Sequence, residues 1–486
     1  MSYTKIAPAK PFEGVPKINM PCCLGASPKK PIMFRIAVSG ARPISYKIDN
    51  LPDGLTLSGT IVLGQVDTEG DYIITIEASN SIGCDSIEMV LEIHPNRVQL
   101  TPLLGFTSWN AFGYAVTQSD LEGVAEKMAE LGINEYGYNF INIDSGWQGE
   151  YGGKYDAIMP NEKFPDMKGF CDRMHEAGYK CGIYSTPMLH AFGCSMDTVP
   201  LPPGCTQGEA DDRFADERGG IGVIRKEKNN ALQWAEWGFD YLKYDWRPSD
   251  PYNAELMRRE LVATERDFGF CVTVKARPEY HKYWEKYCNS YRCNIDSLGD
   301  WNNFKEIYRT YFDFIDYINK GHYFDLDMLD LGQCNLFPMS YDKPDYGFTE
   351  DEQIAVFTSR VITASPIQLS TTFEGVNDFE LSVYCNEEVL AIHQDPGGMA
   401  AKPDMMLEDG DRMVHVLKRR LYNGDYAFAI FNLGETEENV KVYLDEMSTV
   451  RDVWAKEDLK DSETITLAAM PPHSVRLFRT KIKQDS

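Results

Sequence analysis

The rhythm of apolar and polar positions changes twice along the chain. Between residues 17 and 98, short alternating runs are broken by turn residues. Ile32–Val38, Asp71–Ala78 and Glu88–Ile93 read as strands, with Asn80-Ser81-Ile82-Gly83 as a turn. Strands at this spacing predict a small β-sandwich. Residues 1–16, rich in Pro and Lys, predict a tail. From 99 to 398 short apolar runs alternate with amphipathic stretches. The runs begin near 104, 138, 180, 240, 270, 293, 322 and 366. Eight such units predict a (β/α)8 TIM barrel. Ser119 with Glu122, and Thr349 with Glu352, have capping-box spacing at predicted helix starts. Met167, Phe170, Cys171 and Met174 predict the inward face of a helix over 166–177, closed by Gly178. Across 399–486 the runs Met413–Leu417, Tyr426–Phe431 and Ser474–Phe478 predict a C-terminal antiparallel β-sandwich.

Composition narrows the partners. Asp and Glu number 74 against 48 Lys and Arg, a net charge of −26. Such a surface repels phosphate backbones and anionic lipid, so a neutral substrate is expected rather than nucleic acid. No apolar stretch reaches the length of a membrane span. The twelve cysteines are scattered and form no CxxC pair, and no metal or other cofactor is expected. Scattered buried thiols and an N-terminus without an apolar core lead us to expect a cytoplasmic protein. A secreted or periplasmic protein whose leader was removed is the alternative, and a homo-oligomer stays open.

Barrel enzymes keep their chemistry at the C-terminal ends of the strands. Those ends carry Trp109-Asn110, Asp144, Asp245, Asp296, Asp325 and Asp327, with Lys243 and Arg292 close by. Trp147, Trp246 and Trp301 lie within a few residues of the same ends. Carboxylates beside aromatic faces suit a sugar, whose ring has an apolar C–H side and a rim of hydroxyls. A lone strand-end Asp is as often a helix cap, but so many on one rim are harder to explain in that way. Lys243 and Asp245 stand two apart on a strand and share a face. The lysine charge would favour the ionised form of Asp245.

These residues carry a resemblance. From Leu100 to Pro396 the chain resembles glycoside hydrolase family 27, which contains α-galactosidases and α-N-acetylgalactosaminidases. The matching segments are Thr101–Asn110, Asn142–Trp147, Lys163–Lys168, Gly182–Ser185, Tyr241–Asp245, Asp327–Leu329 and Gln394–Pro396. The resemblance implies a retaining exo-glycosidase with Asp245 as nucleophile and Asp296 as acid/base. It implies a sugar pocket built from Trp109, Asp144, Ser145, Tyr184, Lys243, Ala276, Arg292 and Asp327. The substrate would be an oligosaccharide or glycoside ending in α-galactose. Leu51–Leu55, Gly59–Ile61 and Gly70–Tyr72 resemble the immunoglobulin-like modules of bacterial surface and carbohydrate-active proteins, which are more often spacers than binders.

Four departures bear on the substrate. Ser145 stands where the family usually has a second acid, and Ala276 where its α-galactosidases carry a Glu near the 2-hydroxyl. Gly146, Arg247 and Lys275 occupy positions of disulfide cysteines in secreted members, leaving Cys194 and Cys288 as stranded partners. Phe106 replaces a usual Trp. An α-N-acetylgalactosaminide or a β-L-arabinopyranoside is therefore an alternative substrate, and a charged substituent meeting Lys275 and Arg277 a further one. A sugar-binding protein that has lost catalysis is the alternative from another class. A metal-dependent barrel hydrolase is a third, with only eight histidines to support it.

Overall fold

The computed structural model describes residues 2–188, 190–194, 197–200, 221, 225–247, 249–273, 276–329, 331 and 347–483, with backbone alone at 190–194 and 197–200. Its centre is a ring of eight strands: β1 (Leu104–Thr107), β2 (Phe140–Asn142), β3 (Lys180–Ser185), β4 (Tyr241–Asp245), β5 (Gly269–Thr273), β6 (Ser290–Tyr291), β7 (Tyr323–Phe324) and β8 (Ile367–Leu369). From β1 to β7 each pairs in parallel with the next, and β8 pairs with β1. Leu329, just beyond β7, bridges to Leu369 and closes the ring. Its N–H donates to the Gln368 carbonyl at 2.9 Å, and the Ser370 N–H donates back to the Leu329 carbonyl at 2.9 Å. The expected TIM barrel is thus present.

The sixth strand starts three residues before the expected point. Tyr291 turns outward onto Phe314 and Phe324, at 5.5 and 5.8 Å between ring centroids, and is fully buried. That anchor fixes Ser290–Tyr291 as the strand. The run expected from 293 lies in the following loop, where Ile295 is exposed.

Helices α1 (Gln118–Glu130), α2 (Met167–Glu176), α3 (Glu227–Trp237), α4 (Pro251–Val262), α5 (His281–Tyr287), α6 (Trp301–Thr310), α7 (Glu350–Thr363), α8 (Asp378–Tyr384) and α9 (Glu387–His393) surround the strands. Met167, Phe170, Cys171 and Met174 of α2 are buried as the periodicity predicts, and Gly178 follows at φ +86°. Thr349 and Glu352 form the expected capping box of α7. The box of α1 differs from expectation. Thr117 and Asp120 build it, not Ser119 and Glu122. The Glu122 carboxylate is taken by Gln118 and Arg173, at 3.0 and 2.7 Å, so it is not available to cap.

The N-terminal module is a two-sheet sandwich. Cys23–Ala26, Cys84–Ile93, Gly70–Ser79 and Ser45–Asp49 form one sheet; Pro31–Arg35, Ile61–Gln65 and Leu55–Ser58 form the other. Phe34, Val62, Ile74, Ile76 and Leu91 lie in its core. The module covers the N-terminal end of the barrel, the end opposite the strand-end carboxylates. Met20, Phe34 and Met89 of the module line a cavity there with Leu104, Phe140 and Gly269.

Residues 2–9, expected as part of a tail, are docked. The Ala7 N–H donates to the Trp454 carbonyl at 2.8 Å, and the Ala9 N–H to Ser382 Oγ at 3.0 Å. The C-terminal domain, from Lys402 to Ile482, is antiparallel and packs on α7. Buried Arg419 donates to the carbonyls of Val361 and Ile392, at 3.1 and 2.9 Å. No helix among the described residues is long and apolar enough to cross a membrane.

Candidate active site

The strand order brings every predicted site residue to one end of the ring. Trp109 follows β1 in a single helical turn; Asp144 and Ser145 follow β2; Tyr184 is on β3. Lys243 and Asp245 are on β4, Ala276 follows β5, Arg292 and Asp296 follow β6, and Asp327 follows β7.

Lys243 and Asp245 share the inward face of β4, while their neighbours Leu242 and Tyr244 face outward into the core. Lys243 Nζ donates to Asp144 Oδ2 at 2.7 Å. Burial opposes the lysine charge, but Asp144, Asp327 and Asp245 outweigh it and raise its pKa. Tyr184 donates its hydroxyl to Asp245 Oδ2 at 2.8 Å. Asp144 is oriented from two loops: its N–H donates to Ser108 Oγ at 2.9 Å, and its Oδ1 accepts the Ser145 N–H at 2.8 Å.

Arg292 is the other hub. Its Nη2 pairs with Asp296 Oδ1, and its Nη1 with Asp327 Oδ1 at 2.6 Å. Burial opposes the guanidinium charge; Asp327, Asp296 and Asp245 together hold it charged. Both candidate catalytic carboxylates therefore act on one buried cation. Burial likewise opposes the Asp327 charge, but Arg292 and Lys243 keep its pKa low. Asp327 also accepts the Ser297 N–H at 2.7 Å. Burial pushes Asp325 the other way, with help from the Asp327 charge, up to about 6.

The two carboxyls sit in different surroundings. The Asp296 side chain is 59% exposed, while Asp245 is half-buried under the Tyr184 hydroxyl. Such a pair can divide the work of glycoside cleavage: one carboxylate attacks, and one carboxylic acid protonates the departing oxygen. Ala276 is buried, and its N–H donates to the Arg292 carbonyl at 3.0 Å.

Three tryptophans expected to face sugar do not. Trp147 and Trp246 are fully buried; their indoles donate to the Tyr184 carbonyl at 2.9 Å and to Asp250 Oδ2 at 3.0 Å. Trp301 is buried against His473. Packing outside the ring claims all three, which leaves half-buried Trp109. Ser108 and Ser297 were missed as parts of the site. Both act through contacts that link distant loops and leave no mark in sequence. Asp325 was read as a strand-end acid but given no place in the pocket, although it stands two residues before Asp327 on the same strand exit. Cys288 is a buried free thiol, whereas Lys275 and the Cys194 side chain lie outside the described residues.

The α-galactosidase A family model matches residues 214–395, and that of the α-galactosidase C-terminal β-sandwich domain matches 411–480. The chain belongs to the α-galactosidase family, glycoside hydrolase family 27. Alpha-galactosidase A of Cellvibrio japonicus is 28% identical over 353 residues, covering 68% of this chain and 76% of that protein. The solved structure of a candidate α-galactosidase/melibiase from Bacteroides fragilis is 28% identical with a TM-score of 0.84, covering 97% of this chain and 99% of that one. A β-L-arabinopyranosidase of the same family from Geobacillus stearothermophilus shares the fold, at 23% identity and TM-score 0.68, covering 79% of this chain and 98% of that one. The family 27 chain described here is a glycosidase.

Proposed function

We propose that the enzyme is a retaining exo-α-galactosidase, with Asp245 as nucleophile and Asp296 as general acid and then general base. The observation that carries this reading is the placement of the two carboxyls at one end of the ring: Asp245 ends β4 under the Tyr184 hydroxyl, and Asp296, beyond β6, pairs with buried Arg292. The relatives named above supply the substrate class. In the first step Asp245 attacks the anomeric carbon while Asp296 protonates the leaving oxygen. In the second, Asp296 takes a proton from water as the water oxygen attacks the anomeric carbon and displaces the Asp245 carboxylate, which releases the sugar with its original configuration. Lys243 and Arg292 keep cationic charge beside Asp245, and Asp296 opens to solvent.

The second reading concerns the sugar alone. Ala276 removes the carboxyl that the resemblance places near the 2-hydroxyl. A bulkier 2-substituent, as in an α-N-acetylgalactosaminide, would then fit, and β-L-arabinopyranosides belong in the same comparison. A panel of the three nitrophenyl glycosides tests both readings. Turnover highest on α-galactoside is expected, with Asp245→Ala and Asp296→Ala each lowering it by about 10³-fold or more. Full activity in Asp245→Ala would rule out the mechanism. Preference for a 2-acetamido sugar would replace the substrate and keep the chemistry.

A further inference from the structure

Asp325 is a buried carboxyl that the two-step reaction does not use. It lies just past β7 and is 4% exposed. Its Oδ1 accepts the backbone N–H of Asp327 at 2.8 Å. Asp327 stands at φ +71°, in the left-handed region, which costs an L-residue about 1 kcal/mol or more. Something must hold it there, and the bond from Asp325 does so. The consequence reaches the acid/base. In this conformation the Asp327 carboxylate grips Arg292 at 2.6 Å and the Ser297 N–H at 2.7 Å. Arg292 in turn pairs with Asp296, the chain neighbour of Ser297. Asn294 Nδ2 ties the same loop to the Asp325 carbonyl at 3.1 Å. The loop from 292 to 297 is therefore pinned along its length to Asp325 and Asp327. Asp245 has a separate anchor in Tyr184.

We propose that Asp325 is a positioning residue for leaving-group protonation: by fixing Asp327 it holds the loop that aims the Asp296 carboxyl. The inference rests on Asp296 being the acid/base. Without Asp325 the Asp327 backbone relaxes, its carboxylate lets go of Arg292 and Ser297, and Asp296 loses its aim. Asp245 keeps its Tyr184 anchor, so attack suffers less than protonation.

Leaving-group dependence separates this role from a structural one. A dinitrophenolate departs with little protonation, whereas an alkoxide needs its proton. The experiment measures kcat/KM of the wild type, Asp325→Ala, Asp325→Asn and Asp296→Ala on dinitrophenyl and methyl α-galactosides. Asp325→Ala is expected to lose about 100-fold on the methyl glycoside and under about ten-fold on the dinitrophenyl one, the pattern of Asp296→Ala. Asp325→Asn keeps an acceptor oxygen and should recover much of the methyl-glycoside activity. Equal losses on both substrates at an unchanged melting temperature would overturn the positioning role, as would wild-type rates in Asp325→Ala. Should the alanine variant not fold, Asp325→Asn carries the test: a loss confined to the methyl glycoside supports the role, and an equal loss or none overturns it. A wild type inactive on both glycosides and on the 2-acetamido and arabinopyranosyl nitrophenyl glycosides would instead overturn the catalytic reading beneath, and the inference with it.

Discussion

Asp325 and Asp327 show how two adjacent buried carboxyls divide one cation's influence. Arg292 pairs directly with Asp327 and holds its pKa down, while Asp325, without that partner, is pushed up to about 6. The sign for stability follows. A carboxyl raised above its unfolded pKa binds its proton more tightly in the folded state. Stability therefore falls as pH rises from the unfolded value near 4 through about 6. Asp325→Asn removes that cost and should raise stability at pH 8, by up to roughly 3 kcal/mol at about 1.4 kcal/mol per pKa unit. Urea unfolding of both proteins at pH 4 and pH 8 measures it, and a variant no more stable at pH 8 would contradict the assigned burial. At this scale the sequence was legible where chemistry follows strand parity. Lys243 and Asp245 could be paired because alternate positions share a face. Ser108 and Ser297 could not be found, because their bonds to Asp144 and Asp327 span loops 36 and 30 residues apart.

At the scale of elements, hydrophobic rhythm located most strands and helices, and local competition set their ends. The α1 box is the clearest case. Ser119 and Glu122 have the right spacing, yet Gln118 and Arg173 claim the glutamate, and Thr117 with Asp120 cap instead. Thr117→Ala should therefore cost about 1 kcal/mol, and Ser119→Ala under about 0.5 kcal/mol. Denaturant midpoints compare them, and equal losses would restore the box read from sequence. The sixth strand shows the same limit. Its apolar cue lay in an exit loop, because the true anchor, Tyr291, depends on Phe314 and Phe324 from later in the chain. The tryptophans failed for a related reason. Proximity to a strand end does not decide whether an indole faces the mouth or the helices, and Trp147, Trp246 and Trp301 pack away from the mouth.

Across the whole molecule the architecture keeps one end of the barrel for chemistry. The N-terminal sandwich covers the opposite end, so this module supports the barrel from below and stands away from the strand-end carboxylates. The C-terminal domain is fastened to α7 through buried Arg419 and through Trp454, whose indole donates to Thr358 Oγ1 at 3.0 Å. The barrel and the C-terminal sandwich were legible from rhythm. The docking of residues 2–9 was not, because a Pro- and Lys-rich stretch gives no sign of the surface that receives it. The account stands on Asp245 forming a bond to the sugar. A fluorinated α-galactosyl fluoride, which slows release of the bound sugar, should trap that bond, and peptide mass spectrometry after digestion locates it. The account predicts one added sugar mass on the peptide containing Asp245 and none in Asp245→Ala. A sugar mass on another residue, or turnover of the reagent with the anomeric configuration inverted, would contradict it.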